Sequence, residues 1–358
     1  MFLSELTDKK DNNFDFLRFL SACNVLFCHS SLAFYGIGLS VACIDYIPAG
    51  LDVFFVISGF LITKSWVNEP RVINFLKKRI LRIFPALIVV VLFSAFILGP
   101  LITNLPLDEY FSSEDFFKYV RNVCLYKICH ILPGVFVNNP YPNVVNGSLW
   151  SLPLEFLLYL IVMVFGLLKL LNKTKTFLWI LLISLIFLFH VFIGDWIDKT
   201  FLLCSGQKFF KMAMLFLMSS FLYIKRDSIE MSFNFFILAV LLWICSVNTD
   251  VFYFIQWFTL PYIIIYIAYA KIPVINHWGK YGDFSYGIYI WGFLVQQTVV
   301  FLFKDKLNFL PYNIVVFFIT LFIAICSYHF VEKPMLKLKN IDICLKVKKL
   351  FNIKNFWQ

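Results

Sequence analysis

Arg18 and His29 are ionisable residues that interrupt the first strongly apolar stretch of the chain. They are eleven positions apart, so in an α-helix they share nearly one face and lie about 16 Å apart along the axis. One face would thus carry a fixed cation and a titratable base at two depths. Buried charges are costly in a bilayer, and they mark reaction centres or pathways more often than scaffolding. The pair predicts a functional centre, and the alternative is a neutral, hydrogen-bonded core histidine.

A second group of charges lies in the segment 75–85, where Arg79 and Arg82 are three positions apart. Residues with this spacing lie on one helix face. Two guanidinium groups, with Arg18 nearby, can form paired hydrogen bonds to phosphate or pyrophosphate that lysine cannot reproduce. The alternative is ordinary juxtamembrane positive charge, which is common at cytoplasmic helix ends.

Carboxylates occur near the start of two other apolar segments, Asp52 in 47–66 and Glu155 in 150–171. A carboxylate in hydrocarbon needs a cation or hydrogen-bond donors, or it must stay protonated. We therefore expect both carboxylates to belong to the same functional centre as His29.

Glu155 shares roughly one helix face with hydroxyl-bearing residues. Ser148, Ser151 and Tyr159 project from that face, and Trp150 lies between the two serines. Trp150 by itself is better explained as an aromatic anchor at the membrane interface. Together, the hydroxyl groups, the acid and the indole suit a polyol such as a sugar, so we predict that these residues bind a substrate.

The composition places all of these residues in a membrane. Of 358 residues, 61% are hydrophobic and 15% are charged, which is typical of an integral membrane protein. Segments of about 20 apolar residues, the length that crosses a bilayer, lie at 14–34, 47–66, 81–103, 150–171, 176–196, 206–224, 231–249, 251–270, 284–303 and 311–331. They predict an all-α bundle of about ten transmembrane helices, formed by one domain over 1–336 with a short basic tail over 337–358.

Most lysines and arginines fall in alternate loops, and the positive-inside rule then places both termini in the cytoplasm. Anionic membrane lipids explain the net charge of +10, so no nucleic-acid partner is needed. This orientation puts the three arginines near the cytoplasmic face. It also predicts that His29, Asp52 and Glu155 share a layer in the outer half of the bilayer.

Six motifs follow one another between about residue 14 and residue 336. They are Arg18-x10-His29, Gly50-Leu-Asp-Val-Phe-Phe-Val-Ile-Ser-Gly-Phe-Leu-Ile, Arg79-x-x-Arg82, Ser148-Leu-Trp-Ser-Leu-x-x-Glu155, Asp283-Phe-Ser-Tyr-Gly-Ile-Tyr-Ile-Trp291 and Ser327-Tyr-His-Phe-Val-Glu-Lys-Pro334. In this order, they resemble the membrane acyltransferase 3 family of bacteria.

The resemblance implies a multi-pass protein of the bacterial cytoplasmic (inner) membrane. It also implies a cytoplasmic acyl-coenzyme A donor, usually acetyl-CoA, and O-acylation of a lipid-linked or cell-surface glycan such as O-antigen, capsule or exopolysaccharide. By position, His29 corresponds to the catalytic base and Glu155 to part of the active centre. Donor-site or supporting residues correspond to Arg18, Arg79 and Arg82. Asp52 is a further catalytic candidate because of its predicted depth.

Other interpretations stay open at this point. A transporter or flippase of a lipid-linked glycan or polyol would also bury charges, although a carrier does not require a base coupled to an arginine cluster. Direct acyl transfer and an acyl-histidine intermediate are equally compatible with the residues. No group of residues has the spacing of a metal site, so we expect none. Cys124 and Cys129 could form a disulfide in an oxidising compartment, which their spacing does not decide.

Overall fold

The computed structural model describes residues 1–7, 9, 11–37, 50–172, 175, 206–273, 275–276, 278–303 and 306–340. Within these ranges the secondary structure is helical and contains no named strand, which confirms the predicted all-α architecture. The predicted segment 176–196 and residues 341–358 of the basic tail lie outside the described residues.

The main helices follow the apolar segments of the sequence. They are α1 (Phe14–Tyr35), α2 (Gly50–Asn68), α3 (Val72–Phe93), α4 (Ser151–Leu167), α5 (Gly206–Ile224), α6 (Phe233–Ser246), α7 (Phe252–Tyr269), α8 (Ser285–Phe303) and α9 (Phe309–Ser327). In the described part of the chain, 7 helices, with their extensions, are long and apolar enough to cross a membrane. Helix α6 is shorter, and α5 carries Lys208 and Lys211 in its first turns.

Helix α3 begins at Val72, well before the predicted start at residue 81. The basic residues that precede residue 81 are good helix formers, so they continue the helix where apolarity alone would end it. Arg79 and Arg82 therefore lie inside a helix, on a rigid element. A π-helical turn, Ser94–Leu98, prolongs α3, and another, Tyr328–Glu332, prolongs α9.

Helix α2 lies in close contact with α1, α4, α5 and α7. A Cβ atom on Gly59 would lie 2.1 Å from the carbonyl oxygen of Phe216 in α5, so only glycine permits this approach of the two backbones. The hydroxyl group of Ser220 donates a hydrogen bond to the Gly59 carbonyl at 3.1 Å. This contact fixes α2, which carries Asp52 and Ser58, against α5.

The segment between α3 and α4 is fastened to α8 by amide side chains. Asn146 donates to the carbonyl oxygen of Ile290 at 2.8 Å, and Gln297 donates to the carbonyls of Tyr141 and Val144 at 2.8 and 2.6 Å. Asn146 also accepts a hydrogen bond from the Ser148 backbone at 3.2 Å and begins the 3-10 turn that leads into α4. Ser148 and Ser151 are thereby positioned beside α8. Cys124 and Cys129, in the same segment, are free thiols.

Candidate active site

A cavity of about 530 Å³ lies among α1, α2, α3, α4 and α8. Its lining includes six of the residues that the sequence predicts for the site, namely Arg18, Arg79, Arg82, Ser151, Glu155 and Tyr159. The volume is within the range of small-molecule sites. The structure therefore brings the three arginines together, and it adds Glu155 and two hydroxyl groups to them.

Carboxylates neutralise two of the three arginines. Arg82 pairs with Asp283 at 2.5 Å and with Glu332 at 3.4 Å. Arg18 pairs with Asp283 at 3.5 Å and with Asp15 at 3.4 Å. The geometry of these pairs fixes both guanidinium groups at one side of the cavity.

Asp283 lies in the loop just before α8. Its carboxylate accepts hydrogen bonds from the backbone of Ser285, at 3.2 Å, and from the Ser285 hydroxyl. Burial alone would raise the pKa of Asp283, but Arg82 and Arg18 outweigh burial and hold the pKa below its ordinary value of 3.8. Asp283 is therefore a permanent negative charge at neutral pH.

Arg79 has a different environment from the other two arginines. Its guanidinium carbon lies 5.6 Å from the ring centroid of Phe75 and 5.8 Å from that of Tyr159. Its one hydrogen bond is a long contact of 3.4 Å to the Ser65 hydroxyl, and its buried Nε has no partner in the described part of the chain. Within the same residues, no carboxylate oxygen lies within 4.0 Å of it. Within the described residues, Arg79 therefore brings positive charge to the cavity without a direct ion pair.

Glu155 lies in the same cavity as Arg79. Its carboxylate accepts a hydrogen bond from Ser58 at 3.1 Å and another from the hydroxyl group of Tyr159. Glu155 and His29 line different spaces in the structure. Ser58 of α2 and Tyr159, one turn further along α4, provide the donors that the Glu155 carboxylate needs in an apolar bundle.

His29 lies in a separate crevice between α1 and α8. Val25, Ser148, Tyr289 and Phe293 are among its other lining residues, and the crevice is too narrow for a water molecule. The imidazole meets the ring of Phe293 edge-on, with centroids 5.5 Å apart. His29 is thus directed into the bundle, beside the cavity that holds the arginines.

Tyr289 in α8 lines both the cavity and the crevice. Its hydroxyl group donates to the carbonyl oxygen of Ser148 at 2.6 Å and is 2.6 Å from the hydroxyl of Ser151. The two serines predicted to bind substrate are therefore hydrogen-bonded to Tyr289. The sequence offers one signal for this residue, its place in the motif that begins at Asp283.

Asp52 lines neither of these two spaces. It is fully buried and forms an ion pair with Lys211 of α5 at 2.8 Å. The side-chain amide of Gln256 in α7 also donates a hydrogen bond to it at 3.4 Å. The pair joins α2 to α5. Trp150 is also near α5, since the ammonium group of Lys208 lies 5.5 Å from its ring centroid.

Sequence reasoning missed Asp283, Glu332, Tyr289 and Lys211 as neighbours of the predicted site residues. The first three belong to motifs that the resemblance identifies, but their types alone do not indicate a partner. A buried Asp52 does imply a cation, and the sequence has lysines at the start of the apolar segment 206–224, one of which is Lys211. Among the described residues, no group of histidine, cysteine and carboxylate side chains could hold a metal ion.

Comparisons with known proteins identify the family of the chain. Residues 11–329 match a family described as an acyltransferase domain. The chain is 29% identical over 295 residues to a protein of Shigella phage Sf6 named O-acetyl transferase, a match that covers 79% of this chain and 83% of the relative. It is also 43% identical over 82 residues to nodulation protein 10 of Rhizobium leguminosarum bv. viciae, which covers 22% of each chain. No solved structure matches the chain.

The family match extends from before α1 into the π-helical turn after α9. It includes all residues of the His29 crevice and all cavity residues except Leu336 and Lys339. The chain therefore belongs to this acyltransferase family and is a multi-pass membrane acyltransferase.

Proposed function

We propose that the protein transfers an acyl group, most simply acetyl, from cytoplasmic acyl-CoA to a hydroxyl group of a lipid-linked or cell-surface glycan at the bacterial cytoplasmic membrane. The phage relative, named O-acetyl transferase, supports acetyl transfer to oxygen. The match to an acyltransferase family favours this enzyme over the transporter or flippase that the sequence also allowed. Membrane lipids are then its surroundings, and acyl-CoA and the glycan are its substrates.

The observation that carries the proposal is that Arg79 lines the cavity without a direct ion pair in the described part of the chain. Because Arg82 and Arg18 are already paired with carboxylates, Arg79 is the cavity arginine with the most to gain from an anion. Phosphate and pyrophosphate groups are the anions that a guanidinium group binds best. We assign the phosphate end of the donor to Arg79, with Arg18 and Arg82 completing the site.

The chemistry then requires a base for the acceptor. A thioester is already activated, so the glycan oxygen attacks the carbonyl carbon as a base removes the proton of its hydroxyl group. The carbon–sulfur bond breaks, and the thiolate leaves and takes up a proton. His29 is our candidate base because a neutral imidazole nitrogen can accept a proton and the ring faces the interior of the bundle.

Glu155 is our candidate for organising the donor side of the reaction. Its carboxylate accepts a hydrogen bond from the hydroxyl group of Tyr159, and the guanidinium group of Arg79 lies near the ring of the same tyrosine. A change at Glu155 would therefore affect the orientation of Arg79 more than the orientation of His29. The extended pantetheine arm of the donor would span the distance from the arginines toward His29.

The proposal is tested with membranes that contain the protein, labelled acetyl-CoA and the membrane glycans of the host. We expect His29→Ala to abolish label incorporation and to leave CoA binding intact. We expect Arg79→Ala to weaken CoA binding at least about tenfold, since a bond to a charged group contributes about 1.5–3 kcal/mol. The matched control is Arg71→Ala, which removes an exposed arginine just before α3.

Wild-type incorporation by His29→Ala would exclude His29 as the base. Equal CoA binding by Arg79→Ala and Arg71→Ala would exclude Arg79 from the donor site. If wild-type membranes transferred no label to glycan, the proposed reaction itself would be wrong.

A further inference from the structure

Tyr289 is the one described residue that borders both the arginine-lined cavity and the His29 crevice. The residue is 6% exposed, so it is a buried part of the wall of both spaces. A group that moves directly from the cavity to the crevice would therefore meet this side chain.

Hydrogen bonds hold the ring of Tyr289 in one orientation. The hydroxyl group lies 2.6 Å from the carbonyl oxygen of Ser148 and 2.6 Å from the hydroxyl oxygen of Ser151. Both serines lie at the start of α4, whereas Tyr289 belongs to α8, so these bonds join two helices. The ring of Phe54 in α2 packs edge-on, 6.0 Å away. Three helices thus determine where the ring lies.

The space beyond Tyr289 is very small, because the crevice around His29 does not accommodate even a water molecule. A two-carbon acyl group needs a small displacement of the ring to reach the crevice, and each further methylene group needs more. A thioester held against the Tyr289 ring likewise has no room for water on the His29 side, and that room would open if the ring were removed.

We propose that Tyr289 sets the length of the acyl group that the enzyme transfers and that its ring prevents hydrolysis of the donor. The inference rests on the proposed function, and it concerns specificity within that reaction. In hydrolysis, water adds to the thioester carbonyl, the carbon–sulfur bond breaks, and a free carboxylic acid and a thiol result. Tyr289 limits this reaction by keeping water from the carbonyl carbon.

The test uses the full chain in lipid nanodiscs with acetyl-CoA, butyryl-CoA and hexanoyl-CoA. Two rates are measured, thiol release without glycan and transfer of labelled acyl groups to added membrane glycan. We expect Tyr289→Ala to raise the rate ratio of butyryl to acetyl transfer about tenfold or more, since one methylene group changes discrimination about 10–200-fold. It should also raise thiol release in the absence of glycan.

Tyr289→Phe separates the ring from the hydroxyl group. This variant keeps the ring, so both the butyryl-to-acetyl ratio and thiol release without glycan should stay near the wild-type values. Tyr289→Leu retains more of the packing and is measured alongside, so that a poorly folded alanine variant does not decide the question.

The matched control is Tyr110→Ala. Tyr110 is also fully buried, and its hydroxyl group also donates to a backbone carbonyl, that of Ala95 at 2.8 Å, but it borders neither space. Its loss should lower stability and leave the acyl preference unchanged.

Wild-type acyl preference and thiol release in Tyr289→Ala and Tyr289→Leu proteins that still bind CoA would overturn the inference. The same broadening in Tyr110→Ala would also overturn it, because general loosening would then explain the effect. If the wild-type protein fails to transfer acetyl to glycan, the proposed function is wrong and this inference with it. Transfer by the wild type with no change in the variants removes the role of Tyr289 alone.

Discussion

Arg79 and Arg82 lie three positions apart on α3, and their partners give them different roles. Arg82 is held between Asp283 and Glu332, whereas Arg79 has a long contact with a serine hydroxyl, lies near two aromatic rings and makes no ion pair within the described residues. Replacing Arg82 would leave two carboxylates without their cation. Its loss is therefore expected to affect stability first, and the loss of Arg79 to affect donor binding first.

Asp283 provides a prediction that depends on pH. Asp283→Asn should lower the stability of the protein by about 3 kcal/mol at neutral pH, because the variant leaves Arg82 with one carboxylate fewer. The pKa of Asp283 in the folded protein is lowered from 3.8, so its stabilisation is present above that value and is lost as the pH falls below it. The melting temperature in detergent, measured from about pH 3 to pH 8, should show the difference narrowing only below about pH 4.

The control for this measurement is Asp108→Asn, which removes an exposed carboxylate from the segment between α3 and α4. It should change the melting temperature little at any pH. A difference between wild type and Asp283→Asn that persists unchanged at the acidic end would contradict the assigned charge of Asp283.

The sequence predicts the shared face of Arg79 and Arg82, because helix periodicity is a local property. It does not predict their counter-ions, since Asp283 is 201 positions from Arg82 and Glu332 is 250 positions from it. No local pattern encodes a contact at that separation. The depth argument for Glu155 was incomplete for a related reason, because depth does not specify which neighbouring helix a side chain faces.

At the level of the helices, Asp52 and Lys211 connect α2 with α5. Breaking a buried pair by replacing one partner costs about 3–5 kcal/mol, whereas replacing both with apolar residues is often nearly neutral. We therefore expect Asp52→Leu and Lys211→Met each to lower stability, and the double variant to recover much of the loss. The melting temperature and the acetyl-transfer rate are measured for wild type, the two single variants and the double variant, which gives the coupling between the two residues.

The same four proteins decide between two roles for Asp52. If Asp52 only joins the helices, the double variant recovers acetyl transfer together with stability. If Asp52 takes part in catalysis, as its predicted depth suggested, the double variant recovers stability and stays inactive. Additive losses of stability would contradict the pairing itself.

The length of each apolar segment predicts the existence of helices α1 to α9, since each helix falls in a long apolar stretch of the sequence. They do not predict the start of α3, where charged helix formers continue the helix beyond the apolar stretch. The π-helical turn Tyr328–Glu332 is also invisible to periodicity, because one wider turn shifts the face of the following residues. That shift matters to the site, because the turn ends at Glu332, which pairs with Arg82.

For the whole molecule, the predicted orientation places the segment between α3 and α4 outside the cytoplasm. Cys124 is an exposed thiol in this segment. In a variant whose other eight cysteines are replaced by serine, a membrane-impermeant maleimide should therefore label Cys124 in intact cells, and Cys124→Ser should remove the signal. In the resulting cysteine-free protein, Lys337→Cys, beyond α9, should react only after the membrane is permeabilised. The reverse pattern would invert the topology and place the arginine-lined cavity on the outer side.

The ion pairs around Arg82 have a consequence for recombination between relatives. They join α1, α3, the loop before α8 and the turn after α9, which are segments from opposite ends of the chain. A chimera that exchanges residues 270–340 for those of another protein must bring carboxylates equivalent to Asp283 and Glu332, or it inherits an orphaned guanidinium group. Chimeras should therefore fold best when both acids and both arginines come from the same parent protein.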